Sequence, residues 1–191
     1  MRNLYALLNN PVEIFNQFEP GDVILTRERG LKHGIDRVFQ RSWWNHVLLY
    51  VGDGKVLDAS PLKGCTIFSL KPMREKYEAW RVVRPTNLTR QQRRAVAALA
   101  VQHFLGKPFS WLQVLGILLF RNFRLRKWQA PFLPGNDFTP TLRNPICSNI
   151  PSLAYFAKGV VVNEYYPPAY IVPKDYIQPK GFRVVFENRW E

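Results

Sequence analysis

The sequence predicts an α+β fold, in which an antiparallel sheet packs against helices. Of its 191 residues, 47% are hydrophobic and 21% charged, as in an ordinary globular protein. Its predicted strands follow one another at hairpin spacing, without the regular alternation of strand and helix that parallel sheets require. Helices are predicted before, between and after these strands. At this length we expect one domain over residues 1–191.

The first half of the chain is predicted to supply most of the strands. Apolar residues at helical spacing alternate there with short apolar runs that are bounded by Gly, Pro and Asp. The predicted elements are, in order, a helix over 3–18, a strand over 22–27, a helix over 31–41, a hairpin over 45–58, and strands over 65–68 and 78–85.

The second half begins with the clearest helix signal of the chain. Thr89-Arg90-Gln91-Gln92 is a capping box, and the helix that it opens is predicted to end at Gly106. A hydrophobic-basic helical segment and a loop rich in Pro and Gly follow at about 109–145. Its apolar part is much shorter than the roughly 20 residues that span a bilayer. The last predicted elements are a helix over 148–158 and a strand over 182–186.

The net charge indicates an anionic partner. The chain has 27 basic and 14 acidic residues, a formal charge of +13 and a pI near 10.1. The basic residues near 121–127, interleaved with aromatics, are candidates for contact with an anionic membrane or polymer surface. We do not expect nucleic acid to be the partner, because no binding motif accompanies the charge. A protein assembly partner remains open.

Targeting signals and metal motifs are absent from the sequence. The N-terminus lacks a signal peptide and no segment is long enough to span a membrane, so we expect a cytoplasmic protein, or one carried in a virus particle. Two cysteines, Cys65 and Cys147, do not make a disulfide framework. With three histidines and no CxxC pair, we expect neither a zinc site nor another cofactor.

Cys147 is the candidate nucleophile. Pro145 favours extended backbone before it, and Pro151 suits the first turn of a helix that begins at or just after it. A cysteine at a helix N-terminus meets the helix dipole and free N–H groups, which favour the nucleophilic thiolate. The alternative is a small buried hydrophobic residue. Cys65, in the middle of a predicted strand, is interpreted as structural.

His46 and Asp58 lie on the two arms of the predicted hairpin and are candidates for base and orienting acid. A two-residue turn at Asp53-Gly54 would put them on opposite faces of the sheet. A three-residue loop from Gly52 to Gly54 would pair Val51 with Lys55 and put them on one face. We predict the second arrangement. The alternatives are a core histidine and a solvated strand aspartate.

These motifs carry a resemblance to a known superfamily. Residues 21–25 (GDVIL), 45–54 (NHVLLYVGDG), 146–148 (ICS) and 173–175 (PKD) resemble the circularly permuted branch of the NlpC-type papain-like cysteine hydrolases. That branch includes YiiX-like bacterial proteins and relatives of lecithin–retinol acyltransferase, and its histidine precedes its cysteine, as here. The resemblance spans about residues 20–176. It implies a permuted papain-like fold in which the nucleophile lies at a helix N-terminus packed against an antiparallel sheet or partial barrel.

The resemblance also implies roles for three residues. They are Cys147 as nucleophile, His46 as base and Asp58 as the third polar residue, which falls twelve after the histidine in the acyltransferase relatives. Two features depart from the pattern. YiiX-like members have Ser-Glu after the cysteine, where this chain has Ser148-Asn149, and the acyltransferases have histidine at the third position. Both departures leave the substrate class open.

The implied chemistry is attack of the Cys147 thiolate on an amide or ester carbonyl. Water or a second nucleophile would then resolve the thioester, so hydrolysis and acyl transfer both remain open. The substrate is expected to be a peptide, including cell-wall murein, or a lipid acyl group reached at a membrane interface through Trp111–Trp128. An alternative of a different kind is a structural or virion-associated protein that keeps the fold but has little or no catalytic activity.

Overall fold

The computed structural model describes residues 14–28, 42–71, 76–122, 144–177 and 179–189. All of the helix predicted over 31–41, most of the helix predicted over 3–18 and most of the predicted loop after residue 122 lie outside these ranges.

The described residues form one antiparallel sheet of six strands. Its spatial order is β4-β3-β2-β1-β5-β6, so the chain builds outward from β1 in both directions. The antiparallel sheet and its helices confirm the predicted α+β class. The strands are β1 (Val23–Glu28), β2 (His46–Gly52), β3 (Lys55–Ser60), β4 (Gly64–Ser69), β5 (Tyr77–Pro85) and β6 (Phe182–Arg189).

Three α-helices accompany the sheet in the described part of the chain: α1 (Arg90–Phe104), α2 (Trp111–Asn122) and α3 (Asn149–Phe156). The predicted capping box opens α1. Thr89 Oγ1 accepts a hydrogen bond from Gln92 N at 3.2 Å, and Gln92 Oε1 accepts one from Thr89 N at 2.8 Å. Two short 3₁₀ helices, Pro168–Tyr170 and Pro173–Tyr176, lie between α3 and β6.

The core lies on both faces of the sheet. On one face, side chains of the central strands pack with α1 and α3, and on the other they pack with an aromatic cluster. The first group includes Val47, Leu49, Val96, Ala100, Ile150 and Ala154, and the second includes Phe18, Tyr50, Trp80 and Phe186. The burial of α3 on the sheet determines where the turn that precedes this helix lies.

A buried ion pair holds the segment before β1. Asp22 is fully buried and accepts two hydrogen bonds from the Arg84 guanidinium, both at 2.7 Å. The neighbouring Gly21 carbonyl accepts a hydrogen bond from the Tyr155 hydroxyl on α3. These contacts join β5 and α3 to the residues just before β1, so they hold the helix against the central strands.

The turn of the β2–β3 hairpin differs from the prediction. Asp53 and Gly54 both have positive φ, 52° and 65°, and Gly52 pairs with Lys55. The turn therefore has two residues, and the predicted pairing of Val51 with Lys55 is wrong. Glycine and aspartate tolerate this left-handed backbone better than most residues.

A bulge next to this turn shifts the register of β2 against β3. The pairing shifts between Tyr50 and Gly52, and beyond the shift Tyr50 lies opposite Val56. Residues directly opposite one another share a face, and so do residues two or four apart on one strand. His46 and Asp58 therefore lie on one face, as predicted, although the extra residue is in a bulge and not in the loop.

Candidate active site

His46 is the first residue of β2 and lies opposite Thr26 of β1. Its Nε2 is 2.8 Å from Oδ1 of Asp58 on β3, and neither atom has another partner among the described residues. The two side chains are 13% and 4% exposed, so the contact is largely shielded from water. Since Nε2 faces the carboxylate, Nδ1 is the ring nitrogen that remains for a second partner.

That second partner is Cys147. The residue is half-buried in the turn that leads into α3, close enough to the His46 ring for its charge to raise the pKa of His46. The structure therefore brings together the three residues that the sequence suggested: a thiol before a helix, an imidazole and a carboxylate. Cys65, in contrast, is fully buried in β4.

The turn that carries Cys147 is held by polar contacts on both sides of the cysteine. Asn149 Oδ1 accepts a hydrogen bond from Ile146 N at 2.9 Å. The Ser148 hydroxyl donates to Ile171 O at 2.7 Å, and the Tyr176 hydroxyl donates to Ser148 O at 2.8 Å. Sequence reasoning missed these positioning contacts. The only signal was the motif at residues 173–175, which marks the segment that contains Tyr176.

The electrostatics of the site favour a charged imidazole. Burial alone lowers the pKa of His46, but the negative charges of Asp58 and Cys147, with their hydrogen bonds, outweigh it and hold that pKa well above its usual 6.5. A ring that keeps its proton beside a thiol stabilises the thiolate. A thiol, an imidazole and a carboxylate in this order are the groups that a nucleophile, a base and an orienting acid require.

We expect the contribution of His46 to stability to depend on pH. Its folded-state pKa lies above the usual 6.5, so the folded protein holds the ring proton more tightly than the unfolded chain. The contribution is fully present below 6.5 and is lost as the pH rises through the raised pKa of His46. Urea unfolding of wild type and His46→Gln across neutral and alkaline pH measures it. The difference in unfolding free energy should shrink as pH rises, and a constant difference would contradict the assignment.

Helix α2 lies next to the site. Its Ile117 packs with Ile146 and Val172, and Ile146 is the residue before the cysteine. The outer side of α2 is apolar and exposed: Trp111, Leu112, Leu115 and Leu119 are 64%, 84%, 53% and 44% exposed. No helix among the described residues is both long and apolar enough to cross a membrane.

Arg121, the first basic residue of the segment near 121–127, makes its contacts within the protein. Arg121 donates to both carboxylate oxygens of Asp175, at 2.6 and 3.0 Å, and its guanidinium stacks 3.9 Å from the centre of the Tyr166 ring. Arg121 therefore fastens α2 to the segment that holds the Cys147 turn. This corrects its expected role in contacting a membrane or polymer surface. Residues 123–127 lie outside the described residues.

The described residues contain no group of three or more His, Cys, Asp or Glu side chains arranged to hold a metal ion.

These features of the fold and the site define a class of protein. A histidine on a central antiparallel strand precedes, in chain order, a cysteine at the start of a helix that packs on the same sheet, which is the permuted arrangement of the papain-like fold. A family model described as "Permuted papain-like amidase enzyme, YaeF/YiiX, C92 family" matches residues 17–112, just over half of the chain. The chain belongs to this YaeF/YiiX family of permuted papain-like amidases, which are cysteine hydrolases that act on amide bonds.

A solved structure supports the fold over a longer range. The crystal structure of YiiX from Escherichia coli O157:H7, described as a metalloprotein, is similar with a TM-score of 0.62 and 15% sequence identity. The likeness covers 92% of this chain and 99% of that one. It shows the permuted papain-like fold also for the part of the chain that follows the family match and contains Cys147. A search of curated proteins found no significant match.

Proposed function

We propose that this protein hydrolyses an amide bond through a thioester on Cys147, with His46 as base and Asp58 as the acid that orients it. The observation that carries the proposal is the contact of His46 Nε2 with Asp58 Oδ1 at 2.8 Å while the same ring interacts with Cys147. A carboxylate on one ring nitrogen fixes the tautomer and the orientation of the ring, so the other nitrogen can take or return a proton at the thiol.

The reaction follows from these positions. The Cys147 thiolate attacks the amide carbonyl, and the protonated His46 gives its proton to the leaving nitrogen as the C–N bond breaks. The neutral ring then takes a proton from water, which attacks the thioester and releases the acid and the thiolate. No side chain caps the first turn of α3, so its backbone N–H groups are available to stabilise the oxyanion.

We propose a peptide as the substrate, with cell-wall murein as one source. The amidase family favours an amide over an ester. The formal charge of +13 attracts the protein to anionic polymers such as cell walls.

A second candidate is acyl chemistry on a lipid. The exposed apolar side of α2 favours it, because Leu112, Leu115 and Leu119 recur at helical spacing next to the turn that carries the nucleophile. Such a surface can enter the boundary between lipid headgroups and acyl chains and bring an acyl carbonyl to the site.

Intact-mass spectrometry can test both candidates. The protein is incubated with N-acyl peptide amides, with murein stem peptides, or with phospholipid vesicles, and then quenched in acid. We expect a mass gain equal to the acyl group, which hydroxylamine removes and Cys147→Ala abolishes. Cys65→Ala, a variant of the other cysteine in the chain, should still be acylated.

The substrate that yields the adduct distinguishes the two candidates. A peptide adduct with release of the amine supports the amidase, and an adduct from vesicles alone supports the lipid reaction. If no substrate acylates Cys147 while circular dichroism shows a folded protein, the hydrolase proposal is wrong and a structural role with an idle site is favoured.

A further inference from the structure

A cleft lies at the opposite end of β2 from His46. Strand β2 spans seven residues, so the cleft is about 20 Å from the imidazole. Its volume of about 430 Å³ is in the range of sites for small molecules. It opens beside the β2–β3 turn and between the N-terminal turn of α1 and the chain after β4. None of the three candidate catalytic residues lines it.

Three cationic side chains lie in the lining of the cleft. Arg90 and Arg94 lie one turn apart on the same side of α1, and Lys71 follows β4. All three are exposed, and among the described residues Asp53 is the one acidic residue that lines the cleft. Arg90 also feels the charge of Glu19. Within the part of the chain that the structure describes, no carboxylate forms an ion pair with Lys71 or Arg94.

This placement of charge opposes the stability of the helix. The first turn of α1 contains no acidic residue, although the positive end of the helix dipole favours acids there. Two arginines four residues apart repel each other in the absence of an anion. An anion bound between the two arginines would relieve both effects. The charges are therefore more favourable with an anion bound than without one.

We propose that this cleft binds the phosphate group of a small phosphate ester. Guanidinium groups match phosphate oxygens with paired hydrogen bonds, and an ammonium group adds a third charge. Phe15 and Pro20 supply apolar walls for the part of the ligand that carries the phosphate. The same chemistry describes a soluble phosphate ester and a phosphomonoester lipid headgroup. The proposal is independent of the reaction at Cys147.

Isothermal titration calorimetry with inorganic pyrophosphate tests the proposal on the full chain. We expect saturable binding with one site. Arg94→Gln and Lys71→Gln should each weaken it by about tenfold or more, because each removes charge-assisted hydrogen bonds. Arg183→Gln on β6 is the matched control, since it removes another exposed arginine that does not line the cleft and should leave the affinity unchanged.

A second experiment distinguishes a soluble phosphate ester from a lipid headgroup. Sedimentation with phosphatidylcholine vesicles, with and without phosphatidic acid, measures binding to a phosphomonoester headgroup. Saturable pyrophosphate binding that only the cleft variants lose supports a soluble ligand. Binding to phosphatidic acid alone, lost in the same variants, supports a lipid headgroup.

Stability measurements separate binding from a structural role. Without ligand, the melting temperature of Arg94→Gln should equal or exceed that of the wild type, because a repulsion is removed. The rise in melting temperature caused by a fixed concentration of pyrophosphate should be smaller in this variant than in the wild type. The proposal is overturned if neither probe binds, or if Arg183→Gln weakens binding as much as the cleft variants do, which would indicate diffuse attraction to a basic protein.

Discussion

Replacing Cys147 by alanine is expected to lower the rate of amide hydrolysis by about three orders of magnitude or more. The variant keeps the fold, since the side chain is small and half-buried, but it has no atom that can form the thioester. Initial rates with a peptide amide that acylates the wild type measure the loss. Cys65→Ala is the matched control and should retain the wild-type rate, provided that its circular dichroism is unchanged.

The two cysteines also provide an internal comparison of reactivity. Iodoacetamide should modify Cys147 faster than Cys65, because Cys147 is half-buried and lies beside the His46 ring whereas Cys65 is fully buried. Cys65 should remain unmodified, since burial and the charge of Asp58 raise the pKa of Cys65 to about 12. Mass-spectrometric site assignment across pH gives both profiles. The pairing is wrong if Cys147 reacts no faster than Cys65, or if His46→Ala leaves its profile unchanged.

Replacing Asp58 by asparagine is expected to lower kcat by roughly 10²–10⁴-fold while the protein stays folded. Asparagine keeps the shape of the side chain, but it removes the charge that faces His46 Nε2 at 2.8 Å. The pKa of His46 should therefore fall, because the largest contribution that raises it is gone. Steady-state kinetics and an NMR titration of the imidazole measure the two effects.

Asp53→Asn is the matched control for this change. It removes a carboxylate from the same hairpin, at a turn position whose left-handed backbone asparagine tolerates. It should change neither kcat nor the titration of His46. If Asp58→Asn retains most of the activity and the titration of His46 does not move, Asp58 has only a structural role.

The elements that local patterns control were predicted well. The capping box at Thr89 determines the start of α1, because the residues that make its hydrogen bonds are only three positions apart. The end of α3 was less accurate. The helix stops at Phe156 and not at residue 158, and the chain turns at Gly159, whose φ is +74°. Last turns fray easily, so the end of a helix is harder to predict than its start.

Pairing between distant segments extends elements beyond their local signal. Strand β6 was predicted over 182–186 but continues to Arg189, because residues of β5 as far as Ala79 pair with it. Arg121 is a second case. Its neighbours in sequence suggested a solvated basic surface, yet Asp175, more than fifty residues later, accepts its hydrogen bonds. The partner decides the role of such a charge, and the partner is distant in sequence.

The sequence by itself placed His46 and Asp58 on one short hairpin and left two registers open, whereas the bulge beside the two-residue turn, which the sequence did not predict, puts them on one face. Only the tertiary structure decided that Cys147 joins them. Helix α3 reaches the sheet through Ile150, Ala154 and the hydroxyl of Tyr155, which donates to the Gly21 carbonyl. The physical reason is the sequence distance over which the interactions act. Turns and helix caps depend on neighbouring residues, whereas the position of a helix on a sheet depends on the summed burial of side chains from many segments.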